Sequence, residues 1–166
     1  MKKPILFLDI DGVLATNKEY NKNRHKFWNK NPEFRELNVP YPYNVGCVKI
    51  LNEILEETDA DIVLSSDWKL HWNLGDLDKI FKLNGITKSP IDVTGDHPIA
   101  LNHLEKNRFN EIKIYIQDKD IKNYVIVDDL RLDIYSDRFV RTKDSEGLKQ
   151  TGVKDKILKF FKNVEE

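Results

Sequence analysis

Ile5, Leu6, Phe7 and Leu8 form an apolar run of strand length that stops at Asp9, Asp11 and Gly12. Such a run reads as a strand buried on both faces, the kind found in a parallel sheet covered by helices. Two acids at its end cost free energy unless they bind a cation or do chemistry. Side chains alternate along a strand, so positions i and i+2 face the same side while the strand geometry lasts. Gly12 then lets the backbone turn sharply and approach a ligand. The pattern suits a nucleophilic carboxylate beside a second acid, above a metal. Two other readings compete. Asp-x-Asp is also turn chemistry, and a calcium loop of EF-hand type would place its glycine two positions later.

The rest of the chain alternates in the same way. A helix is expected over about 45–57, with Asn44 as N-cap and Cys47, Val48, Ile50, Leu51, Ile54 and Leu55 at helical spacing. A strand at 61–64 ends at Ser65-Ser66, and a helical stretch from about Trp68 to Leu83 stops at Asn84-Gly85. A short strand follows at 90–93. Helix returns after Pro98, and again from Arg108 to about Gln117. The strand from Tyr124 to Val127 ends at Asp128-Asp129; a last one lies near Phe139-Val140, before a helix at about 153–161. Alternating strands and helices predict a three-layer α/β fold with a mostly parallel sheet. Three strands end in polar residues, and in open α/β sheets ligands bind at the carboxyl ends of strands.

Composition narrows the classes. The 166 residues suffice for one domain, read as 1–166 with an irregular, substrate-facing insertion at 15–43. Apolar residues make up 40% and charged ones 33%, which suits a folded and not a disordered chain. A net charge of −1 gives no global pull toward nucleic acid, so any such contact needs a local patch. The single cysteine, Cys47, excludes an internal disulfide and reads as core. It is no phosphatase nucleophile, because Glu53 stands where that loop needs an arginine. The start resembles a signal peptide, but Asp9 and Asp11 cut its apolar stretch short, and no segment reaches membrane-spanning length; a cytoplasmic location is expected.

The chain resembles the haloacid dehalogenase (HAD) superfamily of phosphohydrolases. Asp9-Ile10-Asp11-Gly12-Val13 is similar to the first motif, Ser65 to the second and Asp128-Asp129 to the acidic fourth. A closer resemblance is to the HAD domain of Swiss Army Knife RNA repair proteins, related to the phosphatase half of polynucleotide kinase–phosphatases. It rests on Leu64-Ser65-Ser66-Asp67-Trp68-Lys69, on Arg108-Phe109-Asn110-Glu111-Ile112, and on Val140 to Asp144 with Gly147-Leu148. Asp67 stands where a third serine is common, Lys69 where arginine is common, and the acidic run is a pair where three acids are frequent. The resemblance implies a Rossmann-like HAD fold with minimal or no cap domain. It also implies a magnesium-dependent phosphomonoesterase working through an aspartyl-phosphate. Asp9 would attack phosphorus, and Asp11 would act as acid and base. Ser65, Ser66, Gly12 and Lys69 would grip the substrate. Asp9, the Asp11 carbonyl, Asp128 and Asp129 would hold Mg2+.

The family's third motif is a cation, and geometry selects it. The helix beginning near Arg108 runs antiparallel to the strand ending at Asp128, so its start lies at the active-site end. Arg108 also has the planar fork that suits phosphate oxygens, with Lys106 the alternative. The insertion is short, so the site should be open. Residues 18–30 carry five Lys/Arg, among them Lys22, Arg24 and Lys26, against Glu19, interleaved with Tyr20, Phe27 and Trp28. That mixture suits a single-stranded nucleic-acid end; a solvated loop with one aromatic anchor is the plainer reading. The expected partner is a phosphorylated substrate, with removal of a terminal phosphate from nucleic acid as the leading activity. A small-molecule nucleotidase and a non-catalytic phosphate-binding module remain as alternatives.

Overall fold

The structure, a computed structural model, describes residues 2–16 and 23–164. Among these residues five strands form one parallel sheet: β1 (Ile5–Leu8), β2 (Asp61–Leu64), β3 (Asp92–Val93), β4 (Tyr124–Asp128) and β5 (Phe139–Arg141), in the order β3-β2-β1-β4-β5. Six α-helices accompany them: α1 (Arg24–Lys30), α2 (Pro32–Glu36), α3 (Val45–Thr58), α4 (Leu74–Leu83), α5 (Leu104–Lys119) and α6 (Val153–Lys162).

Strand alternation divides the core in two. Leu6 and Leu8 of β1, Ile62 and Leu64 of β2, and Val125 and Val127 of β4 pack with α3, α4 and α6. Ile5, Phe7, Val63, Ile126 and Phe139 face the other way, onto Ile112 of α5. Helices therefore cover both faces, as the buried runs require. The chain steps from β1 to β2 to β3 in one direction, then crosses to β4 on the far side of β1. A right-handed crossover on that reversed path must place its helix on the opposite face, which is where α5 lies. The reversal leaves a crevice between β1 and β4, and both strands bring carboxylates to it.

Local boundaries differ from expectation at three places. The stretch from Trp68 to Leu83 is not one helix. A single 3-10 turn at Asp67–Leu70 ends there, and Asn73 caps α4 afresh by accepting from the Asp76 amide at 2.8 Å. The two helices expected after Pro98 and from Arg108 are one, α5, which starts at Leu104. Its N-cap is His103, whose Nδ1 accepts from the Lys106 amide at 3.1 Å. The 15–43 insertion is not irregular throughout. Pro32 opens α2, and Phe27 of α1 meets Phe34 of α2 edge to face at 5.2 Å. Trp28 donates to the Val39 carbonyl at 2.7 Å and ties this part to the core. Cys47 is fully buried, as expected. No helix among the described residues is long and apolar enough to cross a membrane.

Phe7 is completely buried and meets Tyr115 and Tyr124 edge to face. Phe7→Ala should destabilise the protein by about 3–5 kcal/mol, measured as a lower urea midpoint with an unchanged slope.

Candidate active site

Register brings the polar strand ends level. Leu8 pairs with Leu64 on one side and Val127 on the other. The next residues, Asp9, Ser65 and Asp128, therefore emerge together at the carboxyl end of the sheet. The Asp9 amide donates to the Val127 carbonyl at 3.1 Å, and the Ser65 amide to the Leu8 carbonyl at 2.8 Å. All three residues are buried.

After Asp9 the chain turns tightly, with the Ile10 carbonyl accepting from the amides of Val13, Leu14 and Ala15. Gly12 sits at φ +77°, in the left-handed region. A Cβ there would fall 2.5 Å from Asp129 Oδ2, so glycine is required both for conformation and for space. The close neighbour of Gly12 in this structure is thus an acid of the second strand end. The turn is anchored from afar: Thr142 Oγ1 donates to the Gly12 carbonyl at 2.7 Å and the Leu148 amide to the Val13 carbonyl at 2.9 Å.

Asp9, Asp128 and Asp129 offer ligand atoms that all lie within 4.8 Å of one another. Arg108, buried and in the second turn of α5, is the cation set among them. Its Nη1 lies 2.8 Å from Asp128 Oδ2 and 3.5 Å from Asp9 Oδ2, and donates to the Ser65 carbonyl at 3.0 Å. Its Nη2 donates to Asp67 Oδ1 at 3.1 Å. Burial alone would lower the Arg108 pKa, but Asp9, Asp128 and Asp67 outweigh it and raise it. Lys106 is exposed, so Arg108 is the one of the two that reaches the carboxylates.

One guanidinium does not balance this much negative charge. Burial, then repulsion from Asp128, pushes the Asp9 carboxyl well above its usual range, against Arg108, Ser66 and the Ile10 amide. Burial and Asp128 likewise push Asp129 up to about 6. Buried acids that resist ionisation, with oxygens converging on one point, fit a small divalent cation with oxygen ligands. Ser65 Oγ fits the same picture for an anion, since it is buried with no hydrogen-bond partner. Ser66 Oγ accepts from the Trp68 amide at 3.3 Å, capping the 3-10 turn, and supports Asp9.

Asp11 is set apart from the other acids, and the expected role of Lys69 changes. The Asp11 carboxylate stands outside the acid cluster: Tyr41 Oη donates to its Oδ1, and Trp68 Nε1 to its Oδ2 at 3.0 Å. Burial, and then this bond to Asp11, raise the Tyr41 phenol well above its ordinary value. Lys69 is not free to grip a substrate. Its ammonium donates to Glu111 Oε2 at 2.7 Å, to the Gly95 carbonyl at 3.0 Å and to Thr94 Oγ1 at 3.1 Å, which uses all three of its donors. The Arg-x-x-Glu spacing on α5 thus has two tasks on one helical face, Arg108 for the acids and Glu111 for Lys69.

The basic segment is placed in part. Lys22 lies outside the described residues. Lys26 is exposed on α1. The Arg24 guanidinium lies 5.4 Å from the Trp28 ring centre and lines a groove of about 670 Å³ with His71 and Trp72. Trp72 stacks on Trp68 at 4.6 Å, so this groove is one ring removed from Asp11. None of the four histidines belongs to a metal-binding group among the described residues.

Asp129 carries a stability prediction. In the folded protein it keeps a proton up to about pH 6, while the unfolded chain releases it near its ordinary value of 3.8. The stabilisation is therefore present at low pH and lost as pH rises through about 6. With chelator present, the melting temperature should fall between about pH 4 and 6, and excess magnesium should abolish that fall.

Residues 5–153 match the family described as the HAD domain in Swiss Army Knife RNA repair proteins. No curated protein matches the chain. A hydrolase of the haloacid dehalogenase-like family from Streptococcus pneumoniae is similar in structure at 14% identity and a TM-score of 0.38, over 95% of this chain and 90% of the other. A likeness of that strength carries no functional weight.

Proposed function

The chain belongs to the family of HAD domains in Swiss Army Knife RNA repair proteins, and from that premise we propose that it is a phosphomonoesterase that removes a terminal phosphate from nucleic acid. The observation that carries the reading is the meeting of Asp9, Asp128 and Asp129 with Arg108 and the unpartnered Ser65 hydroxyl at one crevice. Asp9 attacks phosphorus, the bond to the leaving oxygen breaks, and Asp11 gives that oxygen a proton. Asp11 then takes a proton from water, whose oxygen displaces the phosphate from Asp9 and restores the carboxylate. Ser65 and Arg108 stabilise charge on the transferring group. Asp9, Asp128 and Asp129 would hold magnesium, which would supply the positive charge that lets a carboxylate approach a dianion.

The substrate class is supported by a groove of about 650 Å³ that starts at Asp129 and continues along Arg141, Thr142, Lys143, Asp144, Ser145 and Gln150. Arg141 Nε donates to the Asp129 carbonyl at 3.1 Å, which sets its guanidinium beside the acid cluster. The Lys143 amide donates to Gln150 Oε1 at 2.8 Å, so the loop is braced. Arg141 beside the acids and Lys143 farther along, set against Asp144 in the same lining, suit the phosphodiesters that follow the reacting phosphate in a polymer, whereas an aryl phosphate has no group to place there. The basic residues of α1, Arg24 and Lys26, are a second contact for the strand. The enzyme would act in the cytoplasm.

Asp9→Asn should abolish turnover while leaving the metal-free melting temperature no lower, because it removes a nucleophile and also a buried like charge. Turnover within about tenfold of the parent, or about 1.4 kcal/mol of barrier, would overturn the role given to Asp9.

Replacing Arg141 and Lys143 together by Ala should raise KM for an end-phosphorylated oligonucleotide. The slope of its logarithm against that of salt concentration should flatten by about 1.4, at about 0.7 per phosphate contact on single strands. Hydrolysis of p-nitrophenyl phosphate should change little. A panel of 3′- and 5′-phosphorylated oligonucleotides and mononucleotides with magnesium tests the reading as a whole; a clear preference for mononucleotides would replace it with that of a small-molecule nucleotidase.

A further inference from the structure

Asp11 has to place a proton on the leaving oxygen, yet it lies within a tight turn, directly before Gly12, and is partly exposed. An aspartate in that position has rotamers to lose, and each lost rotamer lowers the fraction poised to act. Here both of its oxygens are held. Tyr41 Oη reaches Oδ1, and Trp68 Nε1 reaches Oδ2 at 3.0 Å. The two donors are themselves fixed. Tyr41 is 8% exposed and Trp68 4%. The Trp68 ring stacks on Trp72 at 4.6 Å and meets Tyr41 and Tyr43 edge to face at 5.9 and 5.5 Å. Trp72 in turn donates to the Leu37 carbonyl at 2.7 Å.

We propose that Tyr41 and Trp68 are positioning residues that clamp the Asp11 carboxyl in one orientation and decide which of its oxygens delivers the proton. An indole N–H can only donate, so Oδ2 must remain an acceptor. A phenol hydroxyl can donate or accept, so Oδ1 can carry a hydrogen beside Tyr41 without opposing two donors. The proton therefore leaves from Oδ1 to the leaving oxygen as the phosphorus–oxygen bond breaks, and Tyr41 then donates to the bare Oδ1. In this arrangement Trp68 acts on one end of Asp11 with its ring nitrogen, and its backbone amide holds Ser66. One residue thus sets both a proton donor and a neighbour of the nucleophile.

The inference rests on the phosphatase reading, and its test separates the two. The full chain with magnesium is assayed on an oligonucleotide with a terminal phosphate, whose sugar oxygen needs a proton to leave, and on 2,4-dinitrophenyl phosphate, whose phenolate does not. Tyr41→Phe keeps the ring and removes the hydroxyl. It should lower kcat at least about tenfold on the oligonucleotide, a part of the usual 10²–10⁴-fold from general acid catalysis. It should leave KM unchanged and the activated ester within about twofold. Trp68→Phe should behave alike. Because that change could unfold the core, a second readout uses the metal-free protein. The Trp68 indole ¹H–¹⁵N resonance should move upfield in Asp11→Ala, as expected when a bond to a carboxylate is lost. A parallel fall on both substrates, no fall on either, or an unmoved indole resonance overturns the clamp alone. A parent chain that hydrolyses neither substrate overturns the phosphatase reading and, with it, the clamp.

Discussion

The Arg108 guanidinium is the buried positive charge set among the carboxylates at the carboxyl end of this sheet, and the acids are arranged around it. It reaches across from α5 to Asp128 on β4, Asp9 after β1 and the Ser65 carbonyl after β2. Three segments far apart in sequence are thereby joined by one side chain. Removing one partner of such a buried group leaves an uncompensated charge, which is far costlier than the pair is beneficial. The arrangement is nonetheless incomplete as electrostatics. Asp9 and Asp129 are still held away from easy ionisation. Acids that resist ionisation while their oxygens converge within a folded core fit a cation, and a cation bound there would couple the stability of the site to its charge.

Much of this was legible in the sequence, for a physical reason. A strand buried on both faces must be apolar throughout, so its end is marked sharply where polar residues begin. That is why Asp9, Ser65 and Asp128 could be found at strand ends, and a parallel sheet then makes those ends converge. Arg108 could be chosen because an antiparallel helix must start where the next strand finishes. What could not be read was the partner of each polar side chain. Lys69 stands three positions after Ser66, and charge alone suits it to a phosphate. Its fate is decided by Glu111, 42 positions away. Asp11 carries no mark that it will be bound by aromatic rings. Tyr41 stands between prolines in the insertion, and nothing in that spacing points it at the site. Helix limits failed where capping chemistry overrode periodicity, as at Asn73 and His103.

Asp67 illustrates how a departure from the family pattern can be absorbed. The residue is exposed, yet it accepts from Arg108 Nη2. A serine there would leave that nitrogen without an anion. The acid adds a third negative partner to a guanidinium already shared between Asp9 and Asp128, and so holds the fork in plane from its outer side. The same fork is then less available to a phosphate, which in the proposed reaction would shift the weight of substrate grip toward Ser65 and the groove beside Asp129.

The bond from Thr142 to the Gly12 carbonyl spans 130 residues, and the Leu148 amide adds a second tie to the same turn. Asp9, Asp11, Asp128 and Asp129 all lie before these anchors in the chain. During synthesis the acids emerge, and their strands can pair, before the segment that fixes the turn between them exists. Contacts of such long range close late, because the loop entropy must be met before they form. The turn that follows Asp9 is therefore set by the last third of the protein, and a partly made chain would hold its acids without holding them in place.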